Sequence, residues 1–100
     1  MAQKLGLLLN GLDNVVNTLE DVHSGDIVEV RLGQETRQII AVEAIPFGFK
    51  MAASDIAHGE PVIKYGQPIG RANRFIGRGK LVHVHNMEGT RGRGDLRSRE

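Results

Sequence analysis

Cysteine and tryptophan are both missing from this 100-residue sequence, and only 4% of its residues are aromatic. Without cysteine the chain has no disulfides, thiolate nucleophiles or cysteine-ligated metal sites. With so few aromatic rings, a core must be filled mainly by Ile, Leu, Val and Ala. No apolar run is long enough to span a bilayer, and the apolar residues 5–9 lack the cleavage pattern of a signal peptide. We therefore expect a cytoplasmic protein that does not contact a membrane.

Neither sign of charge dominates, because 13 basic and 12 acidic side chains give a formal charge of +1. Such a mixed surface argues against a protein that binds a nucleic-acid backbone along its body. A length of 100 residues predicts one small domain, which is too short for a two-domain enzyme. A catalytic role would therefore require a partner chain.

Glycine is abundant, with 13 residues, and part of it belongs to a recurring pattern. An aliphatic residue is followed three positions later by Gly, and another apolar residue comes three positions after that. The copies span residues 22–28, 45–51, 56–62 and 76–82. We expect each aliphatic side chain to anchor a loop in the core, each Gly to adopt a positive φ, and a strand to follow. The unequal spacing of the copies excludes a solenoid with a fixed period.

Short apolar runs bounded by Gly, Pro, Asn and Asp predict a mainly β domain. The predicted strands span residues 4–9, 27–31, 38–44, 50–53, 62–65, 69–72 and 81–85. One short helix is predicted after Asp13, which would act as its N-cap, and it would end by Gly25. Residues 1–88 form the predicted domain, and residues 89–100 form an Arg/Gly-rich tail with too little apolar content to fold alone.

Two histidines near the end of the predicted domain are candidate functional residues. His83 and His85 lie two apart on a predicted strand, so they would share one face beside Asn86. Imidazole titrates near neutral pH and could act as a general acid or base, a substrate donor or a metal ligand. The alternation of these histidines with valine fits a solvated strand face equally well. A metal site would need a third ligand, and none is close in the sequence.

Lys50 and Lys64 are candidates for binding a substrate carboxylate. If they were desolvated, their amines could instead accept a proton. Both could also be ordinary surface charges. Tyr65 lies at a turn that continues through Pro68, and its side chain is either a hydroxyl donor or a core aromatic. The residues alone thus predict a small β module with a polar strand face.

Several segments together resemble the SAF domain of the altronate/galactarate dehydratase family. They are Leu12-Asp13-Asn14-Val15, Gly48-x-Lys50, the stretch 56–72 around Ile63-Lys64-Tyr65-Gly66, and Val82-His83-Val84-His85-Asn86. The tail Arg91-Gly92-Arg93-Gly94-Asp95 is similar to the end of that family's separate small chains. The resemblance covers residues 8–95 and implies a compact β-clip fold of short strands.

The resemblance also implies a lyase subunit. Its reaction would be that of a hydro-lyase that eliminates water from a sugar acid of the altronate or galactarate type. The chain would be a small subunit that acts with a large catalytic subunit of the same family and is inactive without it. Two alternatives stay open, a sulfolactate sulfo-lyase small subunit and a noncatalytic module that binds a carbohydrate or an acid. A divalent metal, iron or manganese, would be held mainly by the partner.

Residue roles follow from the same resemblance. The catalytic residues would be His83, His85 and Lys50. The substrate-binding residues would be Lys64, Tyr65, Gly66 and Asn86. The residues that dock the large subunit would be Arg91, Arg93 and Asp95, since the Arg fork binds carboxylates with two hydrogen bonds.

Phe49 departs from the family pattern, because many relatives have His between the corresponding Gly and Lys. A phenyl ring can neither transfer a proton nor coordinate a metal. The chain would then use another substrate, take the missing group from its partner, or lack catalysis.

A nucleic-acid accessory role is a remaining alternative, carried by the arginines of the tail. Acidic residues at positions 88, 95 and 100 nearly cancel that charge, so nucleic acid is not the expected partner. The oligomeric state stays open, with a homo-oligomer among the alternatives.

Overall fold

The computed structural model describes residues 3–89, and these residues form nine β-strands in two sheets. The strands are β1 (Gln3–Leu7), β2 (Val15–Thr18), β3 (Ile27–Leu32), β4 (Glu35–Ile40), β5 (Lys50–Ala52), β6 (Pro61–Lys64), β7 (Gln67–Ala72), β8 (Leu81–Val82) and β9 (Met87–Gly89). Residues 3–89 contain no helix, and therefore no helix that is long and apolar enough to cross a membrane. The mainly β prediction is confirmed.

The larger sheet has six strands in the order β4-β3-β1-β2-β5-β8, and the smaller one has the order β6-β7-β9. Only the β1–β3 pair is parallel among the pairings of the described strands, and the others are antiparallel. The β3–β4 and β6–β7 pairs are hairpins, each with a two-residue turn. The β2–β3, β4–β5, β5–β6 and β7–β8 connections contain the glycine turns.

The predicted short helix is wrong, because the stretch after Asp13 forms strand β2. Val15 and Val16 are both almost completely buried, although consecutive residues of a strand point to opposite faces. Both can be buried because β2 lies between two apolar cores. Because Val15 and Val16 are buried on opposite faces of β2, the apolar residues in this stretch have a spacing that resembles that of a helix. Asp13 consequently caps no helix, and its carboxylate bonds elsewhere.

Each of the seven predicted strands overlaps an observed strand, and two of them end at least three residues earlier than predicted. The strand predicted over residues 38–44 begins earlier and ends at Ile40. The strand predicted over residues 81–85 ends at Val82, and a turn follows it. The predicted tail begins at Gly89, which is the last residue of β9. The rest of it, with the docking residues Arg91, Arg93 and Asp95, lies outside the described residues.

The recurring pattern forms four glycine turns, as predicted. Their glycines all have positive φ, namely Gly25 (92°), Gly48 (87°), Gly59 (89°) and Gly79 (88°). The four aliphatic residues that open the copies are at most 2% exposed: Val22, Ile45, Ile56 and Ile76. Each copy then leads directly into strand β3, β5, β6 or β8. The near-identical φ values indicate that one local device is used four times.

The four turns associate as two reciprocal pairs. Val22 and Ile45 exchange two backbone hydrogen bonds of 2.9 Å, and Ile56 and Ile76 exchange two of 2.8 Å. Each glycine N–H donates to the carbonyl four residues before the partner's aliphatic residue. These bonds are Gly25 to Ala41, Gly48 to Thr18, Gly59 to Ala72 and Gly79 to Ala52, at 2.8–3.0 Å. The two pairs therefore have the same internal hydrogen-bond pattern.

Two apolar cores are separated by the middle strands of the larger sheet. The first core contains residues of β2, β3 and β5, including Val16, Val28 and Met51. The second core contains Val15 and Ala52 from the opposite face of β2 and β5, with residues of the smaller sheet. Strands β2 and β5 are thus buried on both faces, and each end of these strands becomes a place where a polar side chain can be partly desolvated.

Substitution of Gly59 and of Gly79 by alanine should distinguish the cost of a positive φ from the cost of a steric clash. Both Gly59 and Gly79 are left-handed, which costs an alanine about 1 to 2 kcal/mol. A Cβ at Gly79 would also lie 2.4 Å from the Ile40 carbonyl oxygen, whereas nothing lies within 4 Å at Gly59. We expect Gly59→Ala to lower the free energy of unfolding by about 1 to 2 kcal/mol and Gly79→Ala by at least about 3 kcal/mol. Urea denaturation measures both, and equal losses would contradict the packing of these turns.

Candidate functional site

Asn14 joins the smaller sheet to strand β2. Its side-chain oxygen accepts a hydrogen bond from the Ile63 N–H at 2.7 Å, and its amide donates to the Pro61 carbonyl at 3.0 Å. Its own N–H donates to the Ile63 carbonyl at 3.2 Å. Strand β6 is therefore held against β2 by one residue that uses both its backbone and its side chain.

Asp13 fixes the turn between β6 and β7. Asp13 is 8% exposed, and its carboxylate accepts hydrogen bonds from the N–H groups of Tyr65 (3.1 Å) and Gly66 (2.7 Å). These two residues form the turn, and both have positive φ, at 58° and 71°. Nothing local in the sequence marks this contact or the one made by Asn14, because the bonded partners are 47 to 53 residues away.

Lys50 begins strand β5 on the face that covers the second core. Its register partners are Asn17 of β2 and Val82 of β8, and partners in adjacent strands point to the same face. Val82 is fully buried in the second core, so Lys50 is half-buried at the edge of that core. Burial lowers the pKa of Lys50 from its ordinary value, and the positive charge of Lys64 lowers it further.

Lys64 ends strand β6 and borders a groove beside the turn. Its ammonium nitrogen lies 5.1 Å from the centre of the Tyr65 ring, which is a cation–π contact. The groove has a volume of about 420 Å³, and its lining residues are Lys64, Tyr65, Gln67, Pro68 and Ile69. We call Lys50 and Lys64 the lysine pair. This arrangement can attract an anion, because Lys64 lines the groove and its charge also acts on the partly desolvated Lys50.

His83 lies beside Phe49, directly after strand β8. Phe49 directly precedes β5 and packs against the first core. The rings of Phe49 and His83 are in contact, with centroids 4.8 Å apart and planes tilted by 53°. The phenyl ring that replaces the family's histidine thus covers one side of the His83 imidazole.

Asn86 is a structural residue of the turn after β8. It is 5% exposed, its side-chain oxygen accepts a hydrogen bond from the His83 N–H at 2.9 Å, and its amide donates to the Leu81 carbonyl at 2.8 Å. These bonds end strand β8 at Val82. Both ends of the Asn86 side chain are therefore occupied by the chain itself.

His85 lies in a different cavity from Lys64. That cavity has a volume of about 210 Å³ and is lined by Glu43, Arg74, Phe75, Ile76, Lys80, His85 and Asn86. The prediction that both histidines share one strand face is wrong, because the strand has ended before either of them. The structure brings Lys64 and Tyr65 together at the groove, and the charge of Lys64 acts on Lys50. His85 lines another cavity, and the His83 ring contacts Phe49. The catalytic and binding roles of all these residues stay predictions.

Metal binding by these histidines also stays a prediction. Within residues 3–89 no three side chains from His, Cys, Asp and Glu are grouped closely enough to hold a metal ion. The separated histidines do not fit a metal site by themselves. A divalent metal held mainly by a partner subunit stays a prediction as well.

Comparison with known proteins identifies the family. The family model described as the altronate/galactarate dehydratase SAF domain matches residues 4–90. The chain belongs to this family. The match includes every described residue of the glycine turns, the lysine pair and the Asp13 contact, so the SAF domain accounts for nearly the whole described structure.

Three characterised relatives of this SAF domain are lyases or dehydratases by name. The (2R)-sulfolactate sulfo-lyase subunit alpha of Chromohalobacter salexigens is 39% identical over 88 residues, which cover 77% of this chain and 94% of that subunit. The altronate dehydratase of Escherichia coli is 40% identical over 78 residues, or 78% of this chain. The altronate dehydratase of Bacillus subtilis is 36% identical over 76 residues, or 76% of this chain. The matched region is 15% and 14% of the two dehydratases.

Replacing Lys50 by methionine should stabilise the SAF domain in a pH-dependent way. The lowered pKa of Lys50 means that its charged form is disfavoured in the folded state. This cost is fully present below the folded pKa and disappears as the pH rises to the ordinary value of 10.5. We expect Lys50→Met to raise the free energy of unfolding at neutral pH and to lose this advantage toward pH 10.5.

Urea denaturation over this pH range measures the effect. The matched control is Lys80→Met, which removes the charge of an exposed lysine in the His85 cavity. A gain from Lys50→Met that does not change with pH would contradict the burial of a charged amine.

Proposed function

We propose that this SAF domain is the small component of a lyase that eliminates a β substituent from a hydroxy acid, together with a large catalytic subunit. The domain is inactive without that subunit. Family membership and the names of the three relatives support a lyase. The first candidate reaction is removal of water from a sugar acid of the altronate or galactarate type. The observation that carries the proposal is the lysine pair beside the groove.

The lysine pair is proposed to hold the substrate carboxylate. Removal of a proton next to a carboxylate builds negative charge on the carboxylate oxygens in the transition state. Fixed ammonium groups stabilise that charge most where water is partly excluded. Lys50 is suited to this because it is half-buried and already carries an unfavourable charge, which an anionic ligand would offset. Lys64 adds a second positive charge from the side of the groove.

The proton that a departing hydroxide requires is proposed to come from the large subunit. The His83 ring contacts Phe49, and His85 lines a cavity other than the groove. Neither imidazole is among the residues that line the groove beside Lys64. The small component would then bind the carboxylate, and the large subunit would donate the proton, so the small component would need its partner for the reaction.

Elimination of sulfite from sulfolactate is a second candidate reaction, and two observations favour it. The match spans 94% of a sulfolactate sulfo-lyase subunit but only about one seventh of each dehydratase. Sulfite also leaves as a stable anion and needs no proton donor. Phe49 in place of the family's histidine is compatible with such a leaving group. A sulfonate would add a second negative charge to the ligand.

Binding of substrate acids to the purified domain tests the lysine pair. We expect altronate, galactarate or sulfolactate to perturb the NMR signals of Lys50, Lys64 and the turn at Tyr65. Lys50→Met and Lys64→Met should each weaken the affinity by about tenfold, which corresponds to the loss of about 1.4 kcal/mol of charge-assisted binding. Lys80→Met should leave the affinity unchanged, because Lys80 lies in the cavity of His85.

The relative affinities decide between the candidate reactions. Preference for a sugar acid supports the hydro-lyase, and preference for sulfolactate supports the sulfo-lyase. No perturbation at the lysine pair, or an equal loss in Lys80→Met, would contradict the proposed carboxylate site.

A further inference from the structure

Tyr65 is the single non-glycine residue with a left-handed backbone among residues 3–89. It occupies the first of two turn positions between β6 and β7, and Gly66 occupies the second. Positive φ at both positions defines a type I′ turn, for which Asn-Gly is strongly preferred. An aromatic side chain in this conformation is sterically disfavoured, so the residue is held there by its surroundings.

The other two-residue hairpin shows that the chain can avoid this strain. The β3–β4 turn has Gly33 at the first position, with a φ of 60° that is close to the 58° of Tyr65. Glycine meets this requirement without a steric cost. A tyrosine is thus not needed to make a tight turn in this fold. Strained residues that the surroundings enforce occur preferentially at functional sites.

The enforcing contacts come from the segment before β2. The buried Asp13 carboxylate accepts both turn N–H groups, and a carboxylate acceptor makes these bonds stronger than neutral ones. On the other side, a Cβ at Gly66 would lie 3.0 Å from the amide nitrogen of Asn10, so the turn packs closely against that side chain. These contacts fix the backbone of Tyr65, whose side chain remains 62% exposed.

The exposed ring contacts the Lys64 ammonium and lines the groove. We propose that Tyr65 is a positioning residue for the carboxylate site, its strained backbone directing the ring to hold the Lys64 ammonium at the groove. Asp13 acts through Tyr65 by fixing the turn. This inference rests on the proposed function of the lysine pair. It adds that the Tyr65 ring orients the amine of Lys64.

The rest of the groove indicates what part of a ligand it accommodates. Pro68 and Ile69 give it an apolar wall next to the Tyr65 ring. The ligand class is therefore an acid whose carboxylate meets the lysine pair and whose carbon chain lies along this wall. Gln67 is the uncharged polar residue of the lining and can meet a hydroxyl group of the chain.

Tyr65→Asn is the variant that tests the positioning role. Asn suits the left-handed turn, so the thermal midpoint should rise by about 3 to 6 °C. Without the ring, Lys64 is free to move, and the affinity for sulfolactate, altronate or galactarate should fall by about threefold to tenfold. In the free domain, the pKa of Lys50 should move toward its ordinary value. A structural residue would not combine a gain in stability with a loss of binding.

Two matched controls accompany the variant. Tyr65→Phe keeps the ring and the strain and should preserve both the thermal midpoint and the affinity. Phe75→Asn removes another aromatic residue of similar exposure, 61%, from the cavity of His85 and should not change binding at the lysine pair.

The outcomes separate this inference from the proposed function. A lower midpoint in Tyr65→Asn, or a higher midpoint with unchanged affinity and an unchanged Lys50 pKa, would overturn the positioning role. If the unmodified domain binds none of the acids, the proposed function fails. The Lys50 pKa in the free Tyr65→Asn variant still tests in that case whether the ring holds Lys64.

Discussion

The reciprocal hydrogen bonds between paired glycine turns are the constraint on which the rest of the structure depends. Each turn needs a left-handed glycine to direct its N–H toward the opposite turn, and each opposite turn returns a bond. The pairing sets where the following strands begin. Gly48 places Lys50 at the start of β5, and Gly59 leads into β6, which ends at Lys64. The positions of Lys50 and Lys64 therefore depend on the glycine turns that precede β5 and β6.

Burial on both faces of β2 and β5 explains the chemistry available at this site. A strand between two cores leaves little water at its ends, and Lys50 lies at such an end. The desolvation that lowers the pKa of this amine costs stability in the free domain. The strained Tyr65 turn is a second local cost, beside Lys64. Backbone strain and a shifted pKa both occur preferentially at functional sites.

Local patterns in the sequence predicted the parts of the fold that depend on local chemistry. The spacing of aliphatic residues and glycines predicted the four turns, their positive φ and the strands after them, since each depends on seven consecutive residues. It could not predict which turns pair, because partners such as Val22 and Ile45 are brought together only by the folded chain. The helix prediction failed for the same reason. Burial of both Val15 and Val16 depends on a second core made by distant strands.

The roles of the lysines stay predictions, whereas the strand predicted through the histidines is wrong. Asn14 bonds β6 to β2, and β2 pairs with β5, so the strands of Lys64 and Lys50 are connected by contacts that local spacing does not show. The alternation of His83 and His85 with valine predicted a strand, but the Asn86 side chain bonds the backbone and turns the chain first. Asp13 was assigned to a helix cap because Asp before an apolar run often has that role. Its actual partners, Tyr65 and Gly66, are more than fifty residues away.

Titration of the Lys50 amine by NMR, with and without a substrate acid, tests the carboxylate site most directly. In the free domain the pKa of Lys50 should be below its ordinary value, because burial and the charge of Lys64 both disfavour the ammonium form. A saturating concentration of sulfolactate, altronate or galactarate should raise it, since a bound carboxylate favours the charged amine. A Lys50 that titrates at its ordinary value, or whose pKa is the same with and without all three acids, would contradict the carboxylate site.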